Sequence, residues 1–202
     1  MERLMDRISR ELRIDRSEIR QRNIIPNTSM PYSTNIRTRD GAIMTYDSGD
    51  YTGCLEAAIE HAGYKNFQVK QDTARAKGHY LGIGIANYVE GTGRGPFESA
   101  VVRVKPSGKI IIYTGATDQG QGLKTTLAQV CASQIGVSIS DIEVLSGDTR
   151  HVSLGLGAFA SRQAVTAGSS VHVASIAVRN KILKVAADLL EAAEVDLDIS
   201  GG

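Results

Sequence analysis

The stretch Ser99-Ala100-Val101-Val102-Arg103-Val104-Lys105-Pro106-Ser107-Gly108-Lys109-Ile110-Ile111-Ile112-Tyr113-Thr114-Gly115-Ala116-Thr117-Asp118-Gln119-Gly120-Gln121-Gly122-Leu123 decides the fold. Its two apolar, β-branched runs, 99–104 and 109–114, flank a proline- and glycine-bearing reversal, which predicts a hairpin. Past the glycine-rich turn, Leu127, Val130, Cys131 and Ile135 mark a helix that Gly136 stops. Residues 142–145 then suit a short strand and 147–168 a long loop rich in glycine, serine and threonine. Val171, Val178, Ile182, Val185 and Leu189 recur as on a long amphipathic helix that runs into the acidic Glu194-Val195-Asp196. Upstream, 80–89 alternates small or polar with apolar residues, as a strand does. The order β-β-β-α-β-loop-α predicts an α+β domain over 76–202, with a mostly antiparallel sheet covered by helices on one side.

Residues 1–75 read differently, as a helical and extended N-terminal segment. Leu4, Met5, Ile8 and Leu12 share one face of an amphipathic helix, and Asp15-Arg16-Ser17-Glu18 is an aspartate form of the capping box, opening a short helix to about Arg22. The basic stretch from Arg7 to Arg22 includes acids at helical spacing and reads as a solvated, salt-bridged face. Pro26, Pro31, Gly41 and Gly49 punctuate an extended, largely irregular crossing with brief strand contacts. Asp50 caps a further helix through Leu55, Ala58, Ile59 and Ala62, ending near Gly63.

Composition narrows the function classes. With 42% hydrophobic residues in 202, the chain can build an ordinary core, and a net charge of +1 lacks the basic footprint of a nucleic-acid or anionic-membrane partner. No apolar run approaches the roughly 20 residues of a bilayer span, and the charged N-terminus is not a secretory signal, so the reading is cytoplasmic. Cys54 and Cys131 read as two buried reduced thiols. The histidines, His61, His79, His151 and His172, lie at no metal-ligand spacing, so protein side chains are not expected to hold a metal directly.

Two loops carry the chemistry. In the turn Gln119-Gly120-Gln121-Gly122, glycines let a ligand reach the backbone, glutamine amides both donate and accept, and a helix N-terminus follows. Such a turn suits a phosphorylated or oxo-rich ligand; it is not a P-loop, because neither Gly120 nor Gly122 is followed by lysine. The second loop, Gly155-Leu156-Gly157-Ala158-Phe159-Ala160-Ser161-Arg162, combines small residues with one guanidinium. A β-α-β arrangement can bring both loops to the same sheet edge. Gly91-Thr92-Gly93-Arg94-Gly95 precedes a strand, which makes it a glycine turn rather than a dinucleotide fingerprint; for Glu90 and Glu98, which flank it, solvated carboxylates are the leading reading and hydrogen bonding within the site stays open.

These residues, with Glu18-Ile19-Arg20-Gln21-Arg22-Asn23, Tyr46-Asp47-Ser48-Gly49-Asp50-Tyr51 and Gly147-Asp148-Thr149, resemble the molybdopterin-binding large subunits of the xanthine dehydrogenase, aldehyde oxidase and aerobic carbon monoxide dehydrogenase group. The resemblance implies a molybdenum–molybdopterin cofactor, with or without a cytosine dinucleotide, whose metal is held by pterin sulfurs. Gln119, Gly120, Gln121 and Gly122 match that family's pterin-binding turn. Ala158, Phe159, Ala160, Ser161 and Arg162 match its second cofactor loop. It implies oxidative hydroxylation, with electrons leaving through iron–sulfur and FAD subunits or domains. It also implies that the catalytic glutamate and the active-site arginine loop lie outside this sequence, so no catalytic residue is assigned and the isolated chain is expected to be inactive, as a fragment or one part of a split subunit. Lys124 stands where many members carry histidine. From the residues alone, a non-catalytic structural or assembly module and a phosphate-binding module unrelated to molybdenum stay open.

Overall fold

Among the β-branched runs, the central strand is the most completely buried. The computed structural model describes residues 1–38 and 40–201; Arg39, in the expected extended crossing, and Gly202 lie outside the described residues. Two compact units divide the chain, Met1–Val89 and Glu90–Gly202.

In the second unit β3 (Ala100–Val104) and β4 (Ile110–Thr114) form the expected hairpin, with Val104 opposite Ile110. Lys105 donates its N–H to Lys109 O at 2.8 Å, and Gly108 adopts a left-handed φ of 81° that a side chain would resist. β5 (Ile142–Ser146) lies on the other side of β4 and runs parallel to it. A parallel neighbour cannot be reached by a tight turn. The crossover is α5 (Leu123–Ile135), which Gly136 ends in the left-handed conformation, as its sequence predicts.

Strand alternation divides the sheet's two faces. Val102, Ile112 and Val144 lie side by side across the three strands and pack with Leu123, Leu127, Cys131 and Ile135 of α5. Ala167 and Val171 of α6 (Gln163–Leu190) close this core. Ile111 and Tyr113 point the other way, toward Val152 and Leu145. The unit is thus α+β, with the sheet's main core under helices, and its β4–β5 pairing is parallel beside the antiparallel hairpin.

Several expectations are corrected. No strand forms among residues 80–89; instead Leu81 O accepts a hydrogen bond from Gln71 Nε2, Ile83 O from Arg16 Nη1 and Ile85 O from Arg20 Nη2, so side chains replace a neighbouring strand. Helix α6 starts at Gln163, inside the expected loop, because Ala167, Val171 and Ser175 bury one face and packing overrides the weak helix propensity of its Thr, Gly and Ser residues. Its expected apolar stripe is only half used: Val185 and Leu189 are exposed, since a 28-residue helix outruns the 13 residues of α5 beneath it.

The first unit is held by small, local devices. α1 (Glu2–Leu12) ends at Arg13, and α2 (Arg16–Gln21) is capped by Asp15 Oδ1, which accepts from Ser17 N and Glu18 N. Glu18 does not complete the capping box; its carboxylate pairs with Arg22. β1 (Tyr32–Arg37) and β2 (Ile43–Tyr46) make a short antiparallel pair in the extended crossing. α3 (Tyr51–His61) is capped by Asp50, as expected. Cys54 is exposed rather than buried, because Leu55 and Ile59 occupy the inward face; Cys131 is buried, and burial raises its thiol pKa. α4 (Phe67–Ala76) buries no residue and has no apolar stripe to announce it.

Arg20 is not part of a solvated face. It is buried, pairs with Glu2 and Asp6 at 2.9 Å each, and donates to Arg16 O, Glu2 O and Ile85 O. Burial works to raise the Glu2 pKa, but hydrogen bonds from Arg20 and the Asn87 N–H, with the arginine charge, outweigh it and hold the pKa below its usual value. At Asp15 burial is likewise outweighed, by hydrogen bonds from Ser17, Tyr64 and Glu18.

Two outcomes follow from this packing. Leu127→Ala is expected to cost about 2–5 kcal/mol in denaturant unfolding, whereas Leu189→Ala, at a residue 79% exposed, stays within about 0.5 kcal/mol. Depressed carboxylate pKa values stabilise the fold fully above the ordinary carboxylate range, and that stability is lost as pH falls through the lowered values. Carbon-detected NMR titration is therefore expected to place the Glu2 and Asp15 midpoints below their ordinary values; ordinary or raised midpoints contradict these contacts.

Candidate functional site

Parallel pairing of β4 and β5 sets Thr114 beside Ser146, so the chains leaving both strands emerge at one edge of the sheet. Ligands of α/β sheets gather outside such carboxyl ends. Here the two exits are the two loops singled out in the sequence. Gly147 N donates to Thr114 O at 2.9 Å, continuing the ladder one step beyond the strands. Ser99 Oγ donates to Leu154 O at 2.5 Å, and Gln119 Nε2 makes a long, 3.4 Å contact to Ala158 O. A Cβ added to Gly115 would lie 2.4 Å from Leu154 O and 2.5 Å from Gly155 Cα, so only a glycine permits the loops to approach this closely.

The first loop is open and backbone-rich. Gly120 and Gly122 have left-handed φ values of 92° and 79°, with no atom within 4 Å of where a Cβ would stand. Gly122 is the N-cap of α5 and offers no side chain to its first N–H groups, leaving the positive end of a 13-residue helix for an anion. The glutamines partly serve the loop itself: Gln121 Oε1 accepts from Gln119 N at 2.6 Å, and Asp118 Oδ1 accepts from Gly120 N at 3.1 Å.

The second loop is shaped from within. Ala160 and Ser161 both have φ of 48°, a conformation that residues with a Cβ hold only where their surroundings impose it. Phe159 is exposed, and the Arg162 guanidinium lies 5.2 Å from its ring centroid. Arg162 itself faces inward. Its side chain is 0% exposed and donates from Nε to Arg94 O at 2.9 Å, from Nη1 to Glu98 Oε2 at 2.7 Å and Gly157 O at 3.1 Å, and from Nη2 to Phe97 O.

Glu98 corrects the expectation of a solvated carboxylate: its side chain is also 0% exposed, and it takes the Leu156 N–H as well as Arg162. The glycine turn before it joins the same assembly, with Gly93 N donating to Ser161 O at 3.3 Å. Its place beside the glycine turn is the sequence signal for Glu98; its partner lies too far away in sequence to be seen.

Directly after this loop, Gln163 opens α6 with both amide atoms buried and without a hydrogen-bond partner among the described residues. Buried polar atoms are seldom left so. Open glycine backbone, an uncapped helix start and an unsatisfied amide fit a polar, anionic ligand such as a phosphorylated heterocycle. No group of three or more His, Cys, Asp or Glu able to hold a metal occurs among the described residues. The polar, backbone-rich donor set is compatible with a group that brings its own metal ligands.

Residues 57–202, which include both loops, match the molybdopterin cofactor-binding domain, and the chain belongs to that family. It is 34% identical over 98% of its length to the carbon monoxide dehydrogenase large chain of Hydrogenophaga pseudoflava. It is equally 34% identical, over its whole length, to the nicotine 6-hydroxylase large subunit of Paenarthrobacter nicotinovorans. Among solved structures, quinoline 2-oxidoreductase from Pseudomonas putida 86 superposes with a TM-score of 0.71 at 36% identity, covering 100% of this chain and 26% of the other. The carbon monoxide dehydrogenase of Oligotropha carboxidovorans does so at 0.67 and 32%. The chain spans about a quarter of the length of these relatives, 26% and 25% of the two large subunits.

Contact at Gly115 gives a direct test of how the loops are joined. Gly115→Ala is expected to destabilise the second unit by about 1–3 kcal/mol through overpacking and to speed amide exchange across 155–162. Gly82→Ala, at a glycine with open space around it, should leave that exchange unchanged.

Proposed function

We propose that the chain supplies the cofactor seat of a molybdenum-dependent oxidoreductase that hydroxylates its substrate oxidatively. One observation carries this reading: the parallel β4–β5 pairing presents both glycine-rich loops at one sheet edge, within the segment that matches the molybdopterin cofactor-binding domain. In this reading Gln119 and Gln121 hydrogen-bond the planar pterin, for which an amide's paired donor and acceptor are suited. Gly120 and Gly122 expose backbone to it, and the α5 N-terminus takes its phosphate. Ala158, Phe159, Ala160 and Ser161 close over the other side, and Arg162 holds their backbone in place.

When bound, the molybdenum–pterin group supplies two-electron oxidation chemistry that amino-acid side chains lack. The protein's contribution is to bind and orient that group and to limit water around it. Catalytic acid–base groups come from other parts of the large subunit, with iron–sulfur and FAD-containing subunits or domains as the electron route. The relatives' names span carbon monoxide, nicotine and quinoline, and in this reading the substrate is selected by residues beyond the two loops. In this reading the pterin is bound with or without a cytosine dinucleotide extension. A cytoplasmic enzyme is part of the same reading; no helix among the described residues is long and apolar enough to cross a membrane.

Native purification of the chain with its companion polypeptides, followed by mass spectrometry of released pterin and metal analysis, is expected to find stoichiometric molybdopterin and molybdenum. Gln119→Ala with Gln121→Ala should deplete both while leaving the assembly intact. Wild-type material without pterin, or a double variant that keeps it fully, refutes the proposal.

A further inference from the structure

Nothing in either loop's sequence involves Glu98, yet its carboxylate sits where three segments meet. We propose that Glu98 is a positioning residue for the cofactor: through Arg162 it sets the second loop in its binding shape before a ligand arrives. The inference rests on the two loops being the molybdopterin seat.

The geometry supports preassembly. One Glu98 carboxylate bridges both ends of the second loop, accepting from Leu156 N at 3.3 Å at its start and from Arg162 Nη1 at 2.7 Å at its end. Residues between those anchors include Gly157, whose carbonyl takes a further Arg162 N–H, and the left-handed pair Ala160 and Ser161. The carboxylate also borders the base of the first loop, because a Cβ on Gly115 would stand 2.9 Å from Glu98 Oε1. Ser170 Oγ donates to the Glu98 carbonyl and ties this junction to α6. With its bonds directed at Glu98 and three carbonyls, and with no exposed side-chain surface, the Arg162 guanidinium acts on a ligand only through the loop that it shapes. A buried arginine that loses its carboxylate is left as an uncompensated charge, and the loop must open to hydrate it.

Glu98→Gln in the complete assembled enzyme tests this, since it removes the charge and keeps the shape. Partners that orient a ligand's direct contacts are worth about 10- to 100-fold in affinity. The variant should therefore release molybdopterin faster by that factor on dilution, at a temperature where it remains folded by circular dichroism, and Glu98→Asp should recover part of the loss. Wild-type retention by a folded Glu98→Gln enzyme overturns the proposal.

If Glu98→Gln does not assemble, hydrogen exchange on the unaltered enzyme decides. Protection of the Leu156 amide in both loaded and cofactor-stripped protein supports preassembly, and protection only in the loaded form overturns it. Absence of molybdopterin from the wild-type enzyme overturns the cofactor reading itself, a failure seen before any substitution is made.

Discussion

Everything at the candidate site depends on β4 and β5 running parallel. An antiparallel partner would have sent the second glycine-rich loop to the opposite end of the sheet. Parallel pairing instead requires a crossover, and α5 fills it with a helix whose N-terminus opens at the same edge as both loops. A single topological choice thus places an anion-favouring helix end, an open glycine turn and a second shaped loop at one edge of the sheet. The core explains why the choice is stable: Val102, Ile112 and Val144 form a continuous apolar row that α5 and α6 cover.

Within that frame the two loops are built on different principles. The first is exposed, held by contacts among its own polar residues, and leaves backbone available. The second is organised by a buried charge pair. Buried ion pairs are expensive and contribute little net stability beside an apolar alternative, so such a pair is better understood through the conformation it specifies. Here it specifies a run with two consecutive left-handed residues that carry Cβ atoms, a shape the local sequence would not adopt unaided. The unpartnered Gln163 amide immediately after it is a local cost that a bound polar ligand could relieve.

Much of this was legible in the sequence, for reasons that differ by element. The β3–β4 hairpin, the Asp15 and Asp50 caps and the Gly136 stop are local signals, read from a few neighbouring residues. Both loops were visible because glycine-rich turns between regular elements are rare without a backbone reason. The expected strand at 80–89 failed because alternation shows which residues face inward but cannot supply a partner strand, and here arginine and glutamine side chains take its carbonyls. Helix α4 was invisible because it has no buried face. For Glu98 the sequence leaves a solvated and a hydrogen-bonded carboxylate open, because its partner Arg162 is 64 residues away and only the folded β-α-β unit brings them together. The burial of Arg20 is hidden for the same reason, since Glu2, Asp6 and Ile85 surround it only in three dimensions.

One sheet edge, presenting Gln119 to Gly122 on one side and Ala158 to Arg162 on the other, is proposed to hold the molybdopterin. An experimental structure of the assembled, cofactor-loaded enzyme tests it most directly. The pterin is expected between these loops, with the Gln119 or Gln121 amide and backbone of the second loop within hydrogen-bonding distance and Arg162 still paired with Glu98. A pterin bound away from this edge, or an Arg162 side chain swung out onto the cofactor, would contradict it.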